Sequence, residues 1–87
     1  MRIKYHRVFD KEARKLDPSI IKHFRERRNM FLTSPSHPLL NNHPLHAPFE
    51  GSRSINVTGD YRAIFKYLEP DLVIFTRIGT HHQLFGT

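Results

Sequence analysis

From Arg53 to Phe85 the chain reads R-S-I-N-V-T-G-D-Y-R-A-I-F-K-Y-L-E-P-D-L-V-I-F-T-R-I-G-T-H-H-Q-L-F, three runs of strand-forming residues separated by two turn signals. Alternation over Arg53 to Thr58 puts Ile55 and Val57 on one face and Ser54, Asn56 and Thr58 on the other, the pattern of a half-buried strand. Thr58-Gly59-Asp60 supplies turn residues, Tyr61 to Leu68 is rich in strand formers, Glu69-Pro70 breaks the run, and Leu72 to Ile78 is apolar and β-branched. A three-stranded antiparallel meander follows, and the rest of the chain has to support it.

Register extends the argument. A symmetric turn from Leu68 to Asp71 would set Tyr67 against Leu72, Phe65 against Ile74, Ala63 against Thr76 and Arg62 against Arg77. A three-residue loop at Thr58-Gly59-Asp60 places Asn56 opposite Arg62 and keeps Ile55, Val57, Tyr61, Ala63, Phe65, Tyr67, Leu72, Ile74 and Ile78 on one apolar face. Two opposed arginines cost up to ~1 kcal/mol relative to a neutral pair, and local conflicts of this kind tend to mark function. The bland alternative is two guanidiniums splayed into solvent.

Eighty-seven residues allow one core and one domain, 1–87. Without cysteine there is no disulfide framework and no thiolate metal site, which is compatible with a reducing cytoplasm. Apolar runs are short, and Met1-Arg2-Ile3-Lys4 leads into a strand pattern instead of a signal peptide, so a soluble cytoplasmic protein without a membrane partner is expected. A formal charge of +6, with seven histidines in reserve, calls for an anionic partner, and nucleic acid fits better than a lipid surface.

Arg2 to Val8 alternates Ile3 and Tyr5 against Arg2, Lys4 and His6, an outer strand of the same sheet. Asp10 is the expected cap of a short helix whose Phe9, Ala13 and Leu16 form a narrow apolar stripe. Asp17-Pro18-Ser19 restarts a helix with Ile20, Phe24 and Phe31 inward and Lys22, Arg25, Arg27 and Arg28 outward. Ser34 to Gly51 holds prolines 35, 38, 44 and 48 and reads as an ordered functional loop, pinned by Leu39, Leu40, Leu45 and Phe49. The fold class is therefore α+β: an N-terminal strand, a two-helix hairpin, then the meander, completing a four-stranded sheet. Thr80 to Phe85 is a tail too short for a helix of consequence, anchored by Leu84 or Phe85.

One sheet end then gathers His81, Arg77, Asp60, Tyr61 and the loop carrying His43. That inventory suits RNA cleavage by transphosphorylation, in which a base activates a ribose 2′-OH, cations hold the phosphate and an acid protonates the leaving oxygen, with no metal or cofactor required. Tyr61 and Phe85 offer stacking surfaces for unpaired bases. Duller readings exist: His46 and His82 as surface residues, Asp60 as a turn residue, Tyr61 and Phe85 as core. The His43-Pro-Leu-His46 spacing also suggests zinc, but the prolines work against helical presentation of the two ligands.

Three segments, His43-Pro44-Leu45, Arg53 to Lys66, and R-I-G-T-H-H-Q-L-F from Arg77, closely resemble the RelE/ParE toxin superfamily of bacterial type II toxin–antitoxin systems, in particular its YafQ-like mRNA interferase branch. The resemblance covers essentially the whole chain. It implies a ribosome-dependent endoribonuclease that cuts mRNA on the 70S ribosome, inhibits translation and is neutralised by a small cognate antitoxin, with which it can form a heterotetramer. By position, His81 matches the general acid, His43 and Asp60 match acid–base positions, Arg77 a phosphate-stabilising arginine and Phe85 the aromatic that closes the motif. Tyr61 stands where tryptophan is frequent, and Arg62 matches an arginine of RelE-like members. RNA binding is thus expected of Arg62, Asn56, Tyr61 and Phe85. Asn56 departs from the pattern, replacing a histidine with a group that transfers no proton but still hydrogen-bonds, so the base lies between His43 and Asp60. A gyrase-blocking toxin resembling ParE and an inactive RNA-binding module are the rival readings.

Overall fold

The computed structural model describes residues 1–86. In chain order it comprises β1 (Arg2–Tyr5), α1 (Arg7–Ala13), α2 (Pro18–Thr33), a 3₁₀ turn (Pro38–Leu40), β2 (His43–Pro44), β3 (Arg53–Thr58), β4 (Tyr61–Glu69), β5 (Leu72–Thr80) and α3 (His81–Phe85). The strands form one sheet in the order β1-β5-β4-β3-β2, with β1 parallel to β5 and the other neighbours antiparallel.

The expected α+β class holds, but the sheet has five strands instead of four. The extra strand is β2, where His43 pairs with Ser54 and Pro44 with Arg53. Its position follows from the 3₁₀ turn, which presses Leu40 fully into the core and leaves the next residues lying along β3. An edge is also where a strand proline is tolerated, because no further strand needs its missing N–H.

Helix α1 starts earlier than the expected Asp10 cap. His6 donates its N–H to the Phe75 carbonyl at 2.9 Å, the last bond of the β1 edge, and its Nδ1 accepts the Val8 N–H at 3.1 Å. The chain passes from strand to helix at that residue, and Asp10 falls in the first turn. Asp17 and Pro18 start α2 as the sequence implies, with Asp17 Oδ1 accepting the Ser19 N–H at 2.9 Å. That bond lowers the Asp17 pKa from its usual 3.8. A depressed carboxylate contributes stability above its unfolded value and loses it as pH falls through the folded value. The two helices are not a matched hairpin: α1 packs on β5 and α2 on β3, meeting through Phe9 and Phe24, whose ring centroids are 5.1 Å apart.

Both helices cover one sheet face. Phe9, Phe24, Phe31 and Leu40 close over Ile55, Val57, Ala63, Phe65, Val73, Phe75 and Ile78. The β3–β4 register matches the expectation in setting Asn56 opposite Arg62, but Thr58 pairs with Tyr61 past an irregularity at Val57, so the expected three-residue loop is a two-residue turn at Gly59-Asp60. The β4–β5 register does not. Glu69 pairs with Leu72, Tyr67 with Val73 and Phe65 with Phe75; past an irregularity, Ile64 pairs with Arg77 and Arg62 with Gly79. Arg62 and Arg77 are therefore not cross-strand partners, and Val73 and Phe75, not Ile74, point into the core. Pairing Phe65 with Phe75, 5.4 Å between centroids, sets both rings within 6.4 Å of Phe31. The bulge at Thr76 then restores Ile78 to the same face.

Phe75 has no exposed surface and its ring meets those of Tyr5, Phe9, Phe24, Phe31 and Phe65. Truncation there leaves a cavity that several elements share. Phe75→Ala is expected to lower unfolding free energy by about 3–5 kcal/mol, measured by urea denaturation followed by circular dichroism.

Candidate functional site

The sheet face away from α1 and α2 carries Ser54, Asn56, Arg62, Ile64, Lys66, Ile74 and Arg77, by the alternation of each strand. Residues 45–52 and α3 lie on this face and divide it into two clefts that share Pro48 and Phe49. The larger, about 620 Å³, is lined by His43, His46, Phe49, Ser54, Arg62, His81, Leu84 and Phe85, among others.

Helix α3, though only five residues long, turns the tail back over the sheet and so has more consequence than its length in the sequence suggests. Thr80 Oγ1 accepts the Gln83 N–H at 3.1 Å and Gln83 Oε1 accepts the Thr80 N–H at 2.9 Å, a reciprocal capping box. Leu84 is buried beneath, and His81 donates its backbone N–H to the Asp60 carbonyl at 2.8 Å. The helix is short, but three independent ties orient His81. Its imidazole lies 4.8 Å from the Phe85 ring, whose other neighbour is Phe49 at 5.6 Å.

His43 reaches the same cleft from β2. Its Nδ1 is 2.7 Å from the Asn41 carbonyl. A carbonyl only accepts, so Nδ1 carries the proton and Nε2 of the neutral ring keeps its lone pair. Arg62 stands on β4, and its Nη1 donates to the Gly59 and Tyr61 carbonyls at 2.8 and 3.0 Å, holding the guanidinium at the β3–β4 turn.

The remaining sequence candidates sit elsewhere. Arg77 lines the second cleft, of about 490 Å³, with His6, Lys66 and Thr76. Its Nε and Nη2 donate to Glu12 at 2.9 Å each, and Glu12 Oε1 also accepts the Ile78 N–H at 3.2 Å, past the end of β1 where the β5 edge has no strand partner. Glu12 thereby raises the Arg77 pKa against an opposing desolvation effect. A raised cation contributes stability below its unfolded pKa and loses it only in strongly alkaline solution, so this clamp is constant across physiological pH. The expected meeting of His81 with an Arg62–Arg77 pair does not occur, because Arg77 lies opposite Ile64 and is drawn to α1.

Asp60 presents its backbone to His81, while its exposed side chain is not among the cleft-lining groups. Tyr61 packs against the core cluster. Asn56 does not line the cleft, and its Oδ1 is buried with no hydrogen-bond partner; Ser54 Oγ, at the cleft, is in the same condition. Such atoms cost about 1–3 kcal/mol each, and both stand on the face that carries the clefts.

His46 is exposed, as its reading as a surface residue expects, and it also lines the cleft. The signal was its spacing from His43, readable only once Leu45 and Ser52 are known to close the loop, through an N–H···O bond of 2.9 Å.

Gly79 admits α3 at close range: a Cβ there would lie 2.9 Å from Gln83 Oε1 and 3.6 Å from Leu84 Cδ2. Gly79→Ala is expected to break the capping box, costing about 1 kcal/mol. Faster hydrogen exchange at the Thr80 and Gln83 amides, with the core amides unchanged, is the measurement.

A scan against protein-family models finds no match, and a search of curated proteins finds none either. Solved structures do match. YafQ from E. coli strain BL21(DE3) superposes with a TM-score of 0.78 at 28% identity, covering 99% of this chain and 100% of that one. YafQ in the E. coli DinJ–YafQ complex is 30% identical over 99% of this chain and 100% of its own, with a TM-score of 0.68. RelB–RelE from Methanococcus jannaschii, at 18% identity, a TM-score of 0.71 and 95% coverage of each chain, shares the fold. With sheet, helices and site-bearing tail matched from end to end, the chain belongs to the RelE/ParE toxin superfamily, in its YafQ-like branch.

Proposed function

We propose that this protein is the toxin of a type II toxin–antitoxin pair and a metal-independent endoribonuclease that cleaves mRNA on the 70S ribosome. The observation that carries this reading is the convergence of His43, His81, Arg62 and Phe85 on one cleft. His43, with its proton on Nδ1, offers Nε2 as the base that takes the 2′-OH proton. The 2′-oxygen attacks the adjacent phosphorus in line, the bond from phosphorus to the 5′-oxygen breaks, and His81 protonates that oxygen. The products are a 2′,3′-cyclic phosphate and a 5′-hydroxyl.

Arg62 is the guanidinium in the cleft and takes the phosphate charge in this reading, the role the resemblance matched to Arg77. Phe85 is the stacking surface for a splayed base, since Tyr61 is turned to the core. Asp60 acts through its carbonyl on His81, which leaves His43 as the base. A pure inhibitor such as a gyrase-blocking toxin has no use for a histidine with a set tautomer in the same cleft as a second one.

A small protein antitoxin is the second partner, as the DinJ–YafQ toxin–antitoxin complex of E. coli supports. The net charge of +6 suits both an RNA surface and an acidic antitoxin. No helix among the described residues is long and apolar enough to cross a membrane.

In a bacterial cell-free translation reaction, primer extension on a reporter mRNA is expected to show discrete, translation-dependent cuts. His81→Ala is expected to reduce them by about 10²–10⁴-fold while antitoxin binding persists. Intact mRNA with the wild-type protein, together with inhibited supercoiling by gyrase, would move the assignment to the gyrase-directed reading. Ribosome association of the wild type should weaken as salt rises.

A further inference from the structure

His43 reaches the cleft on the shortest strand of the sheet. β2 is two residues long and lies at an edge, and its second residue, Pro44, has no N–H to add to the ladder. A cation from the neighbouring strand steadies the residues that lead into it. Arg53 Nε donates to Asn42 Oδ1 at 2.7 Å and Nη2 to the Asn42 carbonyl at 3.4 Å, while Asn42 Nδ2 donates to the Pro35 carbonyl at 3.0 Å. Arg53 and Asn42 are both half-buried, and among the described residues Arg53 forms no ion pair. Arg53 lines neither cleft. Both of its acceptors belong to Asn42, the residue immediately before His43.

We propose that Arg53 is a positioning residue for His43, acting through Asn42. The acceptor that fixes the His43 tautomer is the Asn41 carbonyl, and the planar Asn41–Asn42 peptide sets its direction. Asn41 holds that plane from the left-handed region, at φ 45° and ψ 47°. Such a conformation is costly for a residue with a side chain and persists only where its surroundings impose it. On one side of Asn41, Leu40 is fully buried; on the other, Arg53 grips Asn42 by side chain and main chain at once. A guanidinium suits that task, since hydrogen bonds from an ionised donor are stronger than those between neutral groups. While Arg53 holds Asn42, the Asn41 carbonyl faces Nδ1 and the His43 lone pair stays on Nε2. Without Arg53 the strained Asn41 relaxes, its carbonyl swings off Nδ1, and the imidazole divides between its two tautomers. The kinetic consequence rests on the reading of His43 as the base; the tautomeric consequence does not.

Two measurements on the full-length protein separate those consequences. In long-range proton–nitrogen NMR at a pH where the ring is neutral, the His43 nitrogens, assigned by their loss in His43→Gln, are expected to show a protonated Nδ1 and a bare Nε2. Arg53→Met keeps the apolar stem and removes the guanidinium, and is expected to move both nitrogen shifts toward the average of the two tautomers. Asn42→Ala should do likewise. Because both substitutions act on one contact, the double variant should move the shifts no further than the larger single change. In single-turnover cleavage of mRNA on programmed ribosomes, Arg53→Met is expected to lower the saturating rate about tenfold, a part of the ~10²–10⁴-fold that a positioned base contributes. The concentration giving half the maximal rate should change less than about twofold, as for an interaction made only in the transition state. Urea midpoints should show the variants folded.

Nitrogen shifts that keep their wild-type values in Arg53→Met overturn the proposal whatever the activity. Should that variant fail to fold, unmoved shifts in Asn42→Ala, whose side chain lies outside the hydrophobic cluster, overturn it equally. So does an undiminished rate once the shifts have moved, or a loss that appears wholly in the half-saturating concentration, which would make Arg53 an RNA contact. Moved shifts in a protein whose wild type cuts no mRNA would retain the positioning of His43 and reject the nuclease reading instead.

Discussion

Five aromatic rings meet around Phe75, and the architecture depends on that meeting. Tyr5 comes from β1, Phe9 from α1, Phe24 and Phe31 from α2, Phe65 from β4, and each has its centroid within 6.4 Å of Phe75. In a chain of 87 residues there is enough apolar side chain for one such cluster and no second. Drawing both helices and the inward side of every long strand to one face leaves the opposite face with only residues 45–52 and α3 to cover it. The cleft is the incompletely covered half of a one-sided core.

What is built on that face is held by short-range polar ties together with the buried Leu84 and the Phe49–Phe85 contact. The capping box, the bond from His81 to Asp60, the turn carbonyls that hold Arg62 and the carbonyl that sets the His43 tautomer each involve one or two hydrogen bonds. Individually such bonds contribute about 0.5–1.5 kcal/mol. Together they fix the orientation of the groups on that face. Two orphaned polar atoms, Ser54 Oγ and Asn56 Oδ1, lie on the same face, which is where a chain selected for more than folding is expected to carry local costs.

Arg77 shows how context changes the meaning of a residue. From sequence it was a cation at the strand end beside His81, matched to a phosphate-stabilising position. In the fold it sits beyond the β-bulge, where β1 has ended and the β5 edge needs an acceptor. Glu12 supplies that acceptor to the Ile78 N–H and takes the guanidinium in the same contact. Arg62, opposite Gly79 and next to the hairpin turn, is the arginine that lines the cleft with the histidines.

The amino-acid sequence by itself determined the fold class and the longer elements. Period-two alternation in β3, Asp17-Pro18 at the head of α2 and the turn at Gly59-Asp60 are local signals, and the pairing of Asn56 with Arg62 followed from the need for a continuous apolar face, although the loop itself is one residue shorter than expected. His43, His81 and Phe85, which line the cleft, each lie within a short stretch of recognisable pattern. The tertiary structure alone decided what those signals leave open. The β4–β5 register turned on one bulge that aligns Phe65 with Phe75, a gain visible only once α2 lies over both rings. Likewise β2, the placement of His46 and the separation of Arg77 from His81 depend on contacts between residues distant in the chain, whose energies no local window contains. The meander could be read from its alternation; which of its two faces stays open as a cleft, and which arginine lines it, was decided by where the aromatic rings could be buried together.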